Sequence, residues 1–436
     1  MSALAQISSQ IEGATISGSD VEESFYTDSV LERAHIPVLG FSPKNVENAD
    51  LVVASAAYTH LHPEISRARE LDIPVMTYPQ YLGRLLSKKR GISVSGTHGK
   101  TTTTAMIGLV MLQAGLDPSI VVGSDVPSIG GNAHSGKGEF FLAESCEYRR
   151  HFLNYSPEHL VITNIEFDHP DYFHDLDDVI LAFAELAKKI PVHGHIYVWD
   201  EDPNRKSLIS DAPIMTFGLS ESADVRATEI VFQDERSSMK IMLEGQYVGD
   251  LNLHVAGRHN IINALATIAL CHGIGIPLEV ILFSLSLFNG TKRRFEHIGS
   301  NKNGALIVDD YAHHPTEIRT TLEGARLSFP GRRIRAIFQP HTFSRTEKLL
   351  SEFSQAFQGA DEVIVADIFA SAREQEHYTV SSLTLAELIL KEGIQARYIG
   401  PLEDIGVYLS DTLAPEDLVL TLGAGDIYKV GVGIVS

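Results

Sequence analysis

Short apolar runs alternate along this chain with longer stretches whose apolar residues recur every three or four positions. From Ala14 to about Leu86, the runs ATISGSD, IPVLG, LVVASAA and IPVMTY read as strands, and HPEISRAREL reads as a helix. That alternation predicts a parallel sheet with helices on its faces. The polar segment SKKRG, from Ser87 to Gly91, breaks the rhythm and marks a boundary. A second block opens with the strand GISVSG, a loop, and a helix running to about Ala114, stopped by Gly115. Strands FFLAES and HLVITNI follow, then an amphipathic helix with apolar residues at 176, 179, 180, 183, 186, 187 and 190. Between Val225 and Val255 the period drops to two, which predicts antiparallel ribbons. HNIINALATIALCHG then forms a helix just after Gly257. From about Thr291, ALIVDDY, RIRAIFQP, DEVIVAD, ARYIG and DLVLTLGAGD repeat the strand–helix alternation. The reading is α/β with three domains, at 1–88, 89–290 and 291–436.

A chain of 436 residues agrees with several cores. Its formal charge of −21 argues against a nucleic-acid or anionic-membrane surface. Cys146 and Cys271 are too few for a disulfide framework, and no apolar run approaches the roughly 18 residues of a membrane span. A cytoplasmic protein is expected.

Polar chemistry gathers where strands end. In SVSGTHGKTTTTAM, Gly96, Thr97, His98, Gly99, Lys100, Thr101 and Thr102 sit between a strand and a helix. Such a turn presents backbone N–H groups to phosphate, with Lys100 as a point charge and the Thr101 hydroxyl as a Mg²⁺ ligand. Val94 stands where the usual loop pattern has its first glycine. Glu144 ends the FFLAES strand, where a doubly wound sheet delivers functional carboxylates. Glu147 falls in the following loop. TNIEFDHPDYFHD brings Asp168 and His169 to a strand end, while Asp171 and Asp175 read as a solvated, helix-capping pair. VDDYAHHP and FQPHTFSRT place Asp310, Tyr311, His313, His341 and Arg345 at the ends of two later strands. KRRF, with Arg294, puts three cations at a domain junction and reads as an anion clamp. Cys146 reads as inert packing.

In this order, GTHGKTTTTAM, TNIEFDHPDYF, GRHNIINALA, KRRFE, VDDYAHHP, FQPHTFSRT and LGAGDI resemble the Mur ligases over nearly the whole chain. The resemblance implies Rossmann-like terminal domains, the first for a UDP-sugar and the last for an amino acid, around a P-loop ATPase. It also implies an ATP- and Mg²⁺-dependent ligase of peptidoglycan precursor synthesis, joining L-alanine to the carboxylate of UDP-N-acetylmuramate through an acyl phosphate. Lys100 would hold the β- and γ-phosphates, Thr101 and Glu144 one Mg²⁺, and His169 a second. His259 and Asn260 would contact adenine, while Arg294 and Asp310 would reach phosphates and ribose from across the cleft. Tyr311, His313, His341 and Arg345 would line the amino-acid pocket, with Arg345 on the carboxylate. Asp20, Ser55, His98 and Asn132 would face the UDP-sugar. A monomer or weak homodimer is expected.

Two departures stand out. HTFSR has Thr342 where many members carry an arginine, and the chain opens on MSALAQI without the family's first strand and glycine-rich loop. A start site assigned too far downstream is the simpler reading of the second. Two alternatives stay open: a ligase attaching a whole tripeptide to the same nucleotide sugar, and a non-catalytic nucleotide-binding paralogue.

Overall fold

The computed structural model describes residues 1–11, 13–22, 28–233, 235–370, 374 and 378–435. Its centre is a ten-stranded sheet. Across it the order is Gln246–Leu253, Arg236–Leu243, Val225–Gln233, Ile214–Gly218, His195–Trp199, His159–Ile162, Arg90–Ser95, Phe140–Glu144, Ser119–Val126 and Gly131–His134. The middle strands pair in parallel, and antiparallel ribbons close both edges. Side chains alternate between two cores with the strand period of two. Phe140, Leu142, Val161 and Tyr197 enter one, and Phe141, Ala143, Leu160 and Ile196 enter the other. Burial on both faces is why these strands read as continuous apolar runs.

The C-terminal sheet has six strands in the order Glu296–Ser300, Leu306–Asp310, Asp417–Leu422, Arg333–Phe338, Glu362–Val365 and Gln395–Tyr398. Only the first pairs antiparallel. Here too Ile334, Ala336 and Phe338 face one core and Ile337 the other.

Near the N-terminus the apolar runs form less sheet than their pattern suggests. Gly18–Ser19 pairs with Val38–Leu39, and Val52–Ala54 pairs with Val75–Thr77, as two separate parallel pairs. Val38 and Leu39 are 43% and 49% exposed, so this stretch gains little apolar burial to extend it. The helices Ser2–Ile11 and Tyr78–Leu86 instead bury Ala3, Leu4, Ile7, Leu82, Leu85 and Leu86 against the central sheet's second core. Gly83 makes that approach possible, because a Cβ there would lie 2.2 Å from the Asn154 carbonyl oxygen.

The parallel strands matter most at their carboxyl ends, where doubly wound sheets place ligands. Those of the central and C-terminal sheets open towards each other. Phe167 lies between them and packs against a core of each.

One residue at the opposite end of the central sheet sets an acid limit on the fold. His159 is 3% exposed, and neither ring nitrogen finds a hydrogen-bond partner. Burial pushes its imidazole down to about 4. The unfolded chain binds a proton near pH 6.5 that the folded chain refuses, so stability falls as pH drops from 6.5 towards 4. A shift of that size corresponds to at most about 3 kcal/mol. Thermal unfolding should show Tm falling across this window, with a shallower fall in His159→Phe; parallel curves would exclude His159 as a cause.

Candidate functional site

Strand Arg90–Ser95 ends in a turn that only glycine can make. Gly96 has φ +134°, and a Cβ there would sit 2.0 Å from Thr163 Oγ1 and 3.0 Å from the Thr163 nitrogen. Gly99, at φ +79°, caps the helix Lys100–Gln113, with Asn263 Oδ1 2.6 Å from its would-be Cβ. The neighbouring strand end fastens the loop: Asn164 accepts from the His98 amide at 2.9 Å and donates to its carbonyl at 3.1 Å. Thr97 Oγ1 accepts from the Glu166 amide at 2.8 Å. The helix N-terminus therefore points into the crevice with first-turn N–H groups that have no intrahelical acceptor.

The threonine run does different work from what its position suggests. No side chain caps this helix, and the hydroxyls look elsewhere. Thr103 donates to Asn263 Oδ1 at 3.2 Å, and Thr104 donates back to the Lys100 carbonyl at 2.8 Å. Thr101 donates to Glu144 Oε1 at 2.9 Å. The other Glu144 oxygen accepts from the Gly123 amide at 2.6 Å. Thr101 and Glu144 thus offer two adjacent hard oxygen donors beside the loop, a set suited to Mg²⁺.

Lys100 folds back over its own loop. Its Nζ donates to the carbonyls of Gly96 at 2.5 Å and Thr97 at 2.9 Å, and pairs with Glu147 at 3.1 Å. Glu147 is 2% exposed, not a solvated loop residue. It also lies 3.4 Å from His169 Nε2. Burial would raise the Glu147 carboxyl, but Lys100 and His169 hold it below the ordinary carboxylate range. His169 sits at φ +55°, a left-handed conformation that few non-glycine residues adopt. Its ring packs on Tyr148 with centroids 4.8 Å apart, and Tyr148 donates to Asp171 at 2.6 Å. Asp171 therefore braces His169 through Tyr148, contrary to the capping role its sequence suggests. Asp175 does cap the following helix, accepting from the Asp178 amide at 2.9 Å.

Across the crevice, the segment from Lys292 to Phe295 does not act as one clamp. Lys292 pairs with Glu296 at 2.6 Å, and Arg293 turns to Asp309 at 3.0 Å. Both arginines lie over Tyr311, Arg293 at 4.9 Å and Arg294 at 5.1 Å from the ring centroid, but only Arg294 pairs with Glu317, at 3.6 Å. The Asp310 carboxylate accepts from the Phe295 and Ala312 amides at 2.9 and 2.7 Å, and burial raises it to about 7. Glu317 gathers three partners: Arg294, His313 Nδ1 at 3.2 Å and His98 Nδ1 at 3.2 Å. Burial alone would lower His98, but Glu317 and Glu166 raise it to about 9. His313 and His341 are pushed down to about 3 and about 4 by burial, so both are neutral imidazoles. Arg345 pairs with Asp168 at 2.8 Å, both nearly fully buried.

A cavity of about 540 Å³ lies between the two sheets, lined by His98, Gly99, Thr102, His259, Asn260, Arg294, Asp310 and Glu317 among others, while Lys100, Thr101, Glu144, His169, Tyr311, His313, His341 and Arg345 lie outside its lining. His259 is held neutral by burial, down to about 4, and its Nδ1 has no hydrogen-bond partner. Strand ends, glycine loop and a cleft shared by two sheets are what a nucleotide-dependent enzyme needs.

Comparison with known proteins agrees along the full chain. Three family models match: the Mur ligase family catalytic domain over 1–90, the Mur ligase middle domain over 94–271, and the Mur ligase glutamate ligase domain over 293–425. UDP-N-acetylmuramate–L-alanine ligase of Desulfitobacterium hafniense is 72% identical over 435 residues, covering 100% of this chain and 97% of that protein. The protein of the same name from Acetivibrio thermocellus is 43% identical over 438 residues, covering 99% and 92%. The chain belongs to the Mur ligase family. The crystal structure of UDP-N-acetylmuramate-alanine ligase from Thermotoga maritima superposes with a TM-score of 0.83 at 29% identity, covering 99% of this chain and 94% of that one.

In this Mur ligase, the residues expected at the UDP-sugar divide. His98 lines the cavity, whereas Asp20, Ser55 and Asn132 lie outside its lining. Asn132 donates to Ser2 Oγ at 3.1 Å, and Asp20 and Ser55 accept from the nearby amides of Val21 and Ala57. Two carboxylates at the site escape sequence reasoning, Glu147 and Glu317. The first follows a strand end by three residues, and the second caps the helix Pro315–Ser328. The acid at the third helical position of HPTE was the available signal for Glu317. His98, Glu166 and His314 bring ligand atoms within 4.8 Å of one another, but their lone pairs are committed. His98 is charged between two carboxylates, and His314 Nδ1 accepts from the Thr316 amide at 3.3 Å. That group is an ion-pair cluster. Among the described residues, no helix is long and apolar enough to cross a membrane.

Proposed function

We propose that this Mur ligase joins L-alanine to UDP-N-acetylmuramate at the expense of ATP. The observation that carries the reading is the 72% identity over 435 residues to a protein named for that reaction. A muramate carboxylate oxygen attacks the γ-phosphorus, the bond to ADP breaks, and an acyl phosphate forms. The neutral amine of alanine then adds to the acyl carbon, phosphate leaves, and the amide remains. Phosphate is needed because an unactivated carboxylate would have to expel oxide.

On this reading, Lys100 leaves Glu147 to meet the transferring phosphate, and the helix N-terminus holds the phosphate oxygens. Thr101 and Glu144 would hold Mg²⁺, with His169 and its Glu147 partner beside a second ion. Bound magnesium would neutralise phosphate charge as it develops. Neutral His259, with Asn260, suits an uncharged adenine ring. Arg294 would face the phosphates from the opposite sheet, with Asp310 fixing the turn that carries it. Arg345 would take the alanine carboxylate beside Tyr311, His313 and His341. Asp20, Ser55 and Asn132 would belong to a UDP-sugar site reached from the N-terminal block, and His98 would face the muramate end.

The test offers ATP and UDP-N-acetylmuramate with either alanine or the stem tripeptide, following ADP release. Alanine-dependent turnover is expected. Turnover with the tripeptide alone would replace this reading with the recycling one.

A further inference from the structure

Asp168 meets Arg345 across the boundary between the central and C-terminal sheets. Arg345 Nε donates to Asp168 Oδ1 at 2.8 Å, and the two side chains are 5% and 6% exposed. The same carboxylate oxygen accepts from the His169 amide at 2.6 Å, which fixes it to the left-handed turn at His169. On its other side, Arg345 Nη1 donates to the His341 carbonyl at 3.2 Å. A guanidinium has five N–H donors. Asp168 takes Nε, and Nη1 faces both the His341 carbonyl and His341 Nδ1, the latter at 3.4 Å, while among the described residues no hydrogen bond occupies Nη2. The donors left over are those of Nη2, which can make a charge-assisted hydrogen bond to a carboxylate.

We propose that Asp168 is the positioning residue of the amino-acid site: it grips Arg345 by Nε and aims the remaining Nη2 donors of the guanidinium at the substrate carboxylate. This rests on reading Arg345 as the carboxylate receptor. The central domain then sets the geometry of a pocket whose other walls belong to the C-terminal domain. The rings of His313 and His341, with centroids 6.2 Å apart, are neutral and supply no charge there, so the aim of one arginine decides carboxylate affinity. Asp168 on Nε and a substrate carboxylate on Nη2 use different donors of the guanidinium and can bind it together.

The test is steady-state kinetics of Asp168→Asn and Asp168→Glu in the full chain, with each substrate varied in turn. Losing a charge-assisted hydrogen bond should raise KM for alanine about 10- to 100-fold in Asp168→Asn. KM for ATP and for UDP-N-acetylmuramate should move less than about threefold, and kcat at saturating alanine less than about fivefold. Asp168→Glu keeps the charge but pushes the guanidinium out of line, so it should fail to rescue KM. Adding Arg345→Lys to Asp168→Asn should cost less than it does alone, because both act on one contact. An unchanged KM for alanine would overturn the proposal. A lowered one would too, by making Asp168 a competitor for Arg345. A parallel rise in all three KM values with a lower Tm would reduce Asp168 to a structural ion pair. If the wild-type chain ligates a different amino acid, the alanine reading fails, and the same shift in that substrate's KM upholds Asp168.

Discussion

Lys100→Ala is expected to abolish ligation, lowering kcat by at least about 10³-fold, as for groups that stabilise charge in phosphoryl transfer. The geometry adds a second effect that the loop motif does not reveal. Lys100 is the main counter-charge of Glu147, a carboxylate 2% exposed. Removing the lysine leaves that carboxylate with His169 alone, and breaking such a buried pair costs about 3–5 kcal/mol. The single variant should therefore be inactive and also less stable. Lys100→Ala combined with Glu147→Gln separates the two effects: Tm should recover while activity stays lost. Recovery of turnover in the double variant, or near-normal turnover in the single one, would remove Lys100 from the chemistry.

Gly96→Ala should damage fold and function together. The residue combines φ +134° with a would-be Cβ 2.0 Å from Thr163 Oγ1, and the Thr163 and Asn164 nitrogens follow at 3.0 and 3.1 Å. Rotating Thr163 could move its Oγ1 away, but the two backbone nitrogens would stay in tight contact and the positive φ would remain unfavourable. A loss of at least about 3 kcal/mol is expected, as for overpacking combined with an unfavourable φ. ADP affinity, measured by calorimetry, should fall below detection. Gly115→Ala is the control. It also has positive φ, +75°, but nothing lies within 4 Å of its would-be Cβ, so its cost should stay near about 1 kcal/mol. Equal Tm losses in the two variants would show that φ alone, not the close approach, makes Gly96 necessary.

Much of this molecule is legible in its sequence because its strands are buried on both faces. FFLAES, HLVITNI, RIRAIFQP and DLVLTLGAGD lie where their apolar runs place them, at Phe140–Glu144, His159–Ile162, Arg333–Phe338 and Asp417–Leu422. The same signal misleads near the N-terminus. There IPVLG supplies a two-residue strand, because no core stands opposite Val38 and Leu39. Gly131–His134 forms an edge strand from GNAH, which carries no apolar run at all.

The site divides in the same way. Residues fixed by local backbone geometry, such as Gly96, Gly99 and Glu144, could be read from a strand, a turn and a helix. Residues defined by a partner distant in sequence could not. Asp171 reads as a capping acid until Tyr148 is placed over His169, and Glu147 reads as a loop residue until Lys100 bends back to it. Arg293 and Arg294 are neighbours of equal charge, yet one turns to Asp309 and the other to Glu317. The choice is made by strand Leu306–Asp310, which sequence proximity does not report.

All of these roles depend on ATP activating a carboxylate, and isotope transfer tests that step directly. UDP-N-acetylmuramate carrying ¹⁸O in both carboxylate oxygens is ligated to alanine with unlabelled ATP, and the released phosphate is analysed by mass. An acyl phosphate requires one carboxylate oxygen to leave with phosphorus, so each phosphate should carry a single ¹⁸O and the amide should keep the other. Unlabelled phosphate alongside product formation would contradict the account.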